Sequence, residues 1–355
     1  MMIGKNLRFY RLKKGMTMKE LAEKTGITNM AISNYEKDKR NPDIVILRKM
    51  ADVLGVKVLD FMSVRNENLI FQHGEFRKNL KLSNEKKDLV YETIEDYVHR
   101  LFTVVDILGD TVLPIPPLTH RLKLVNDVEQ CADKLRKWLK LSPEGPVGNL
   151  TGLLEDNGII VCQIDIDSCD FSGINGMINQ YPYITVNAKN TPERQRFTMA
   201  HELAHMAFDW SGREAKECER IADGVAGAFL FPANDARHEL GLKRKGIYAD
   251  MLLAAEKFGI SMLCLAFRAK ELKIVSEQAY RDFMIVASKN GWRKNEPSRI
   301  KQEYPGWFRE LVYRAITEKE ISMQKGAELL REPYDIVSKD LLQLYGGMPP
   351  YADQQ

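Results

Sequence analysis

The sequence predicts a multidomain chain: an all-α N-terminal domain, an α+β domain after it, and a helical C-terminal tail. Three observations carry this reading. Residues 3 to about 63 break into five short amphipathic segments, separated by capping and turn residues. Residues 120–275 mix helical periodicity with β-rich runs such as "GIIVCQIDID" and "NGMINQYPYITVNA". Beyond residue 275 only helical patterns recur. The expected boundaries are 1–64, then 65–119 for a linker and an amphipathic helix, then 120–275 and 276–355.

Taken in order, "IGKNLRFYRLKKG" carries Ile3, Leu7 and Tyr10 on one side and ends at Gly15. Thr17 caps "MKELAEKTG", Thr28 caps "NMAISNYEKDK", and Asn41-Pro42-Asp43 opens "IVILRKMADVLG". "VLDFM" closes the domain. Residues 65–82 are polar and turn-rich and read as a linker. A long amphipathic helix is expected at 83–108, with Val90, Ile94, Tyr97, Leu101 and Val104 at helical spacing. Prolines 114, 116 and 117 then exclude a helix. In the α+β region, helices are expected at "VEQCADKLRKWLKL" and "VGNLTGLLEDNG", and a hairpin with its turn near Tyr181-Pro182. The tail carries the helical pair "GWFRELVYRAITE" and "SMQKGAELL", expected to pack.

Hydrophobic content of 44% and charged content of 28% are ordinary for a soluble globular chain of 355 residues. No apolar run is long enough to span a bilayer and no signal-peptide core opens the sequence, so a cytosolic protein away from membranes is expected. Cys131, Cys162, Cys169, Cys218 and Cys264 form no CxxC pairs, which fits reduced thiols better than a disulfide framework. The net charge of +3 is uneven: residues 1–64 hold 13 Lys+Arg against 7 Asp+Glu, leaving +6 there and −3 elsewhere. A nucleic-acid footprint, if present, lies at the N-terminus.

The most informative stretch is "TPERQRFTMAHELAHMAFDW". Thr191-Pro192-Glu193 is a helix start, and His201 and His205 are four positions apart, so both imidazoles leave one face and can hold one zinc ion. Glu202, one residue round, can act as general base on a water there. Met199, Leu203, Met206 and Trp210 form the core-facing stripe. A third ligand is expected from "ECERIADGVAGAFLFP", where Glu217 and Glu219 are both placed for it. Glu219 is favoured because Asp223, one turn on, can bond the far ring nitrogen of a ligating histidine. Cys218 reads as a small packed residue.

These two segments together resemble the metallopeptidase domain of the ImmA/IrrE family over roughly residues 120–275. The resemblance implies a zinc endopeptidase with His201, His205 and Glu219 as ligands and Glu202 as base. Iron or manganese would suit the same donors. Val225 departs from the family's usual phenylalanine, and Gly224 beside it weakens the helix. The strand "YITVNA" is expected to pair edge-on with an extended peptide substrate. His238, Tyr183 and Arg196 are all candidates to stabilise an oxyanion.

"MKELAEKTG" and "TNMAISNYEKDKR" resemble the helix-turn-helix of the Cro/C1-type (XRE) family over residues 3–63. By that resemblance Thr28, Asn29, Met30, Ser33 and Asn34 are the DNA-contact positions, with Lys37, Lys39 and Arg40 near phosphates. Met18 stands where the family commonly has a phosphate-binding glutamine. The fold class implied is an all-α helix-turn-helix domain, an α+β zincin-like metallopeptidase domain and a helical C-terminal tail. The function implied is a DNA-binding zinc endopeptidase. It would act at a double-stranded operator, as a homodimer, and cleave a protein such as a helix-turn-helix repressor to control phage, mobile-element or stress genes. The competing reading is a non-proteolytic regulator or antitoxin-like repressor that uses the peptidase fold as a sensor or partner-binding module.

Overall fold

The computed structural model describes residues 3–62, 68–74, 82–109, 112–114, 121–168, 170–293, 296 and 298–344. Cys169, Pro116, Pro117 and much of the expected linker lie outside them. The N-terminal helices are α1 (Ile3–Lys13), α2 (Met18–Thr25), α3 (Asn29–Glu36), α4 (Ile44–Leu54) and α5 (Val58–Phe61). Strand β1 (Phe71–His73) and helix α6 (Asn84–Leu108) follow. Next come α7 (Val128–Trp138), α8 (Leu150–Asp156), β2 (Ile160–Ile164), β3 (Gly173–Ile178), β4 (Tyr181–Asn187), α9 (Pro192–Ala207) and α10 (Ala215–Leu230). The rest is helical: α11 (Ala233–Leu240), α12 (Met251–Phe258), α13 (Met262–Glu271), α14 (Glu277–Lys289), α15 (Trp307–Thr317), α16 (Met323–Leu330) and α17 (Tyr334–Leu344). No described helix is long and apolar enough to cross a membrane.

The chain divides into two units, one of residues 1–70, 81–112 and 309–355, the other of 71–80 and 113–308. The stretch expected as one C-terminal region is therefore shared between them. In the first unit the Thr17 hydroxyl and the Glu20 carboxylate close a capping box at the start of α2. Leu7, Leu21, Ile32, Met50 and Phe61 form the helical core. The buried Arg11 guanidinium donates to Glu36 at 2.8 Å and to the Met16 carbonyl at 2.8 Å, tying α1 to α3 and to the turn before α2. Helix α6 lies along α1, with Arg8 and Asp88 paired at 2.5 Å. Arg331, at the C-cap of α16 with φ 56°, pairs with Asp96 of α6 and lies over the Phe9 ring at 5.1 Å.

In the second unit the sheet order is β1-β3-β4-β2, with β3 antiparallel to both neighbours and β2 parallel to β4. The hairpin turn falls at Asn179-Gln180, not near Tyr181-Pro182, because Asn179 takes the left-handed φ of 52° that a two-residue turn demands. Pro182 lies within β4 opposite Met177. Helix α9 packs on β3 and β4, α10 packs on α9, and α7 packs on α10. Gly224 in α10 has a packing reason: a Cβ there would sit 3.0 Å from Val128 of α7. Burial pushes the Cys131 thiol above its ordinary pKa, and Cys131, Cys218 and Cys264 form no disulfide.

Candidate metal centre and nucleic-acid interface

Helix α9 starts with Pro192 at its first turn, and the Thr191 hydroxyl, expected as a cap, makes no capping bond. Met199, Leu203 and Met206 are buried against the sheet and α10, while Trp210 lies beyond the end of the helix. Its indole N–H donates to the His205 carbonyl at 3.0 Å and its ring stands 5.1 Å from the imidazole. Trp210 thus packs against the core, as expected, and also contacts His205.

The four-residue spacing brings the Nε2 atoms of His201 and His205 to 3.0 Å from each other. Glu219 of α10 reaches both: its Oε1 is 3.3 Å from His205 Nε2 and its Oε2 is 3.6 Å from His201 Nε2. One ligand atom from each of the three residues lies within 4.8 Å of the others, the one such cluster among the described residues. Asp223, one turn after Glu219, meets His201 Nδ1 at 2.8 Å. A ring proton on Nδ1, facing that carboxylate, would leave the Nε2 lone pair toward the cluster. Two imidazole nitrogens and a carboxylate converging on one point are a donor set that fits a divalent cation. Arg213 pairs with Glu217, which draws that carboxylate away from the cluster.

Glu202 lies on the same helix at 7% exposure, and its Oε2 accepts a 2.7 Å bond from Asn175 Nδ2 on β3. Asn175 was not legible as a site residue: an asparagine beside glycines in a hairpin reads as turn chemistry. Of the three oxyanion candidates, Arg196 is buried and committed to backbone carbonyls of Val147, Gly148 and Gly259. His238 is exposed on α11. Tyr183 pairs with Gly176, one residue out of phase with Asn175, so its ring lies on the opposite face of the sheet from Glu202. The edge-pairing role expected of "YITVNA" also fails, since β4 is flanked on both sides by β3 and β2.

In the first unit, Thr28 accepts from the Ala31 N–H at 3.1 Å and starts α3. Asn29 and Met30 are exposed at its N-terminal end, with Ser33 and Asn34 half-buried beyond them, while Ile32 and Tyr35 hold the opposite face in the core. Lys37, Lys39 and Arg40 are exposed after the helix. This presents the polar residues at the end of the second helix that a major groove admits.

The molecule thus joins a helix-turn-helix unit to an α+β unit in which His201, His205 and Glu219 form a group that could hold a metal ion. A helix-turn-helix family model matches residues 7–61, and a metallopeptidase family model described as IrrE N-terminal-like domain matches residues 155–270. The HTH-type transcriptional regulator ImmR of Bacillus subtilis is 42% identical over 67 residues, covering 19% of this chain and 52% of the relative. The regulator SinR of Bacillus subtilis is 37% identical over 67 residues, or 19% of this chain and 60% of its own length. An uncharacterized HTH-type transcriptional regulator of Archaeoglobus fulgidus is 36% identical over 63 residues, 18% of this chain and 90% of the relative. The chain spans just over half the length of ImmR and three fifths of SinR. It belongs to the Cro/C1-type helix-turn-helix family by its N-terminal domain, fused to a domain of the ImmA/IrrE family.

Proposed function

We propose that this chain is a DNA-binding, zinc-dependent endopeptidase that regulates transcription by cleaving a protein, with a helix-turn-helix repressor as the expected substrate class. The observation that carries the reading is the convergence of His201, His205 and Glu219 within 4.8 Å beside an acid, Glu202, that is not itself in the ligand set. Bound by those three residues, zinc supplies Lewis acidity toward a scissile carbonyl and an acidified water. Glu202 accepts the proton of the attacking water and delivers it to the leaving amine. Because Asn175 holds Oε2, the proton-accepting atom is Oε1. The Asp223 carboxylate, 2.8 Å from His201 Nδ1, is placed to orient that ring.

The test is elemental analysis of untagged full-length protein beside two variants. Wild type is expected to carry about one zinc per chain. Glu219→Ala is expected to lose most of it, and Asp223→Ala to bind zinc about 10–100-fold more weakly. Absence of metal after zinc is offered at neutral pH would overturn the peptidase reading and leave a non-proteolytic regulator.

For the DNA-binding unit, the expected partner is a two-fold operator met by a homodimer. Asn29→Ala should cost about 1–3 kcal/mol of discrimination between operator and mutated operator. Lys39→Ala should weaken binding to all sequences alike and reduce the salt slope by about one. Titrations of labelled operator at several salt concentrations separate the two. Equal losses on specific and random DNA for Asn29→Ala would remove it from the base-reading set.

A further inference from the structure

The outer edge of β3 is the sheet edge nearest the acid of the metal helix. Asn175 on β3 holds Glu202, β4 has no free edge, and β2 lies two strands away. An extended peptide entering this site would pair there, since a free edge offers unpaired N–H and C=O groups in register. That edge is already taken. Strand β1, from the segment that reads as a polar linker, runs antiparallel along it with Phe71 opposite Ile178, Gln72 opposite Met177 and His73 opposite Gly176. The Gly74 N–H extends the pairing by donating to the Asn175 carbonyl at 2.8 Å.

We infer that residues 71–74 are an internal occupant of the substrate edge, so that the resting protein is latent and a peptide substrate binds only when β1 leaves. This rests on the peptidase reading of the metal centre. Three features fit an occupant built for this place. Its Gly74 meets the residue that positions the proposed base. A Cβ on Gly74 would sit 2.4 Å from the Asn175 carbonyl oxygen, so no side chain can be added at that approach without pushing the strand away. It is anchored from the far face, where His73 Nδ1 meets the Tyr183 hydroxyl at 2.7 Å and the Phe71 and His73 rings stack at 5.6 Å. The phenol of Tyr183 lies across Gly176, where a Cβ would come within 2.5 Å of the ring, so this anchor needs the glycine opposite His73.

Among the described residues, β1 pairs with Gly176–Ile178 of β3. Peptide and β1 use the same main-chain groups of β3 and therefore exclude each other. In the chain, β1 lies between α5 and α6, so the occupant is covalently continuous with the DNA-binding helices.

The experiment uses full-length protein carrying Glu202→Gln, so that a bound probe is not cut. The probe is a fluorescein-labelled synthetic peptide of residues 68–74, followed by anisotropy. Adding Gln72→Pro removes a main-chain donor from β1 and should raise probe affinity by about tenfold or more. Gly74→Val should act in the same direction. Hydrogen exchange at the Asn175 and Met177 amides, which face β1, should quicken in both variants when no probe is present. Folded variants that bind the probe no better than their parent, or that keep those amides protected, overturn the inference. Where proline prevents folding, Gln72→Cys paired with Met177→Cys replaces it. The oxidised form should bind the probe about tenfold or more weakly than the reduced form, and equal binding overturns the inference. Probe binding does not require catalysis, so a protein that binds the released edge but holds no metal would sink the peptidase reading alone.

Discussion

Glu202→Gln is expected to keep its fold and its metal and to lose peptide-bond cleavage by about 10²–10⁴-fold, the range for removing a positioned general base. The substitution is nearly isosteric at a buried position, and the amide oxygen of glutamine can still accept the Asn175 bond. The amide that replaces Oε1 cannot take a proton from water. The three proposed ligands are untouched, so zinc content measured beside wild type should not change. Incubation with candidate helix-turn-helix repressors, read by mass spectrometry of the products, gives the rate. If cleavage and gene regulation both persist in the variant, Glu202 is not the base, and the metal centre serves binding or sensing.

The sequence made this site legible because the residues concerned are close together. His201, Glu202 and His205 lie on one helix, and Glu219 and Asp223 share a face of the next. Local capping rules sufficed for the helix-turn-helix in the same way. What escaped is long-range. A three-residue strand such as β1 is too short to show period-two alternation, so it read as linker. Asn175 acquires its role only when the hairpin is laid across α9, 27 positions from Glu202. The misplaced turn has a similar cause: Pro182 reads as turn chemistry. In fact it occupies a point of β4 before the pairing with β2 begins at Tyr183, where a residue without an N–H is tolerated. The pairing of Arg331 with Asp96 spans 235 positions, and nothing in either local sequence signals it. The assignment of α16 to the N-terminal unit follows from such contacts and not from periodicity.

Arg196→Met should be among the most destabilising single changes in the α+β unit, by about 3–5 kcal/mol. Arg196 lies on α9 ahead of the proposed ligands His201 and His205 and is 3% exposed. Its guanidinium donates to the carbonyls of Gly148 at 2.7 Å, Val147 at 2.6 Å and Gly259 at 3.0 Å, and pairs with Glu303. Glu303 in turn accepts from the Thr151 N–H at 2.9 Å and its hydroxyl at 3.1 Å. Methionine fills much of the volume but leaves three buried carbonyls and a carboxylate without their cation, and the uncompensated charge is the largest part of the cost. For a unit of this size the loss corresponds to a Tm lower by about 6–20 °C. Melting should be followed at fixed free zinc, because metal binding to the folded state adds its own stabilisation. Adding Glu303→Gln to Arg196→Met should recover part of the loss by removing the stranded charge. A double variant no more stable than the single would show that the lost carbonyl bonds, not the carboxylate, dominate. A single variant that melts within a degree or two of wild type would show that α9 is held by its apolar face alone. The distinction bears on function, because the clamp fixes the register of the helix that presents His201 and His205 to Glu219. If it slackens, the geometry at the metal should weaken before the unit unfolds, so zinc affinity in Arg196→Met should fall at temperatures where the protein is still folded.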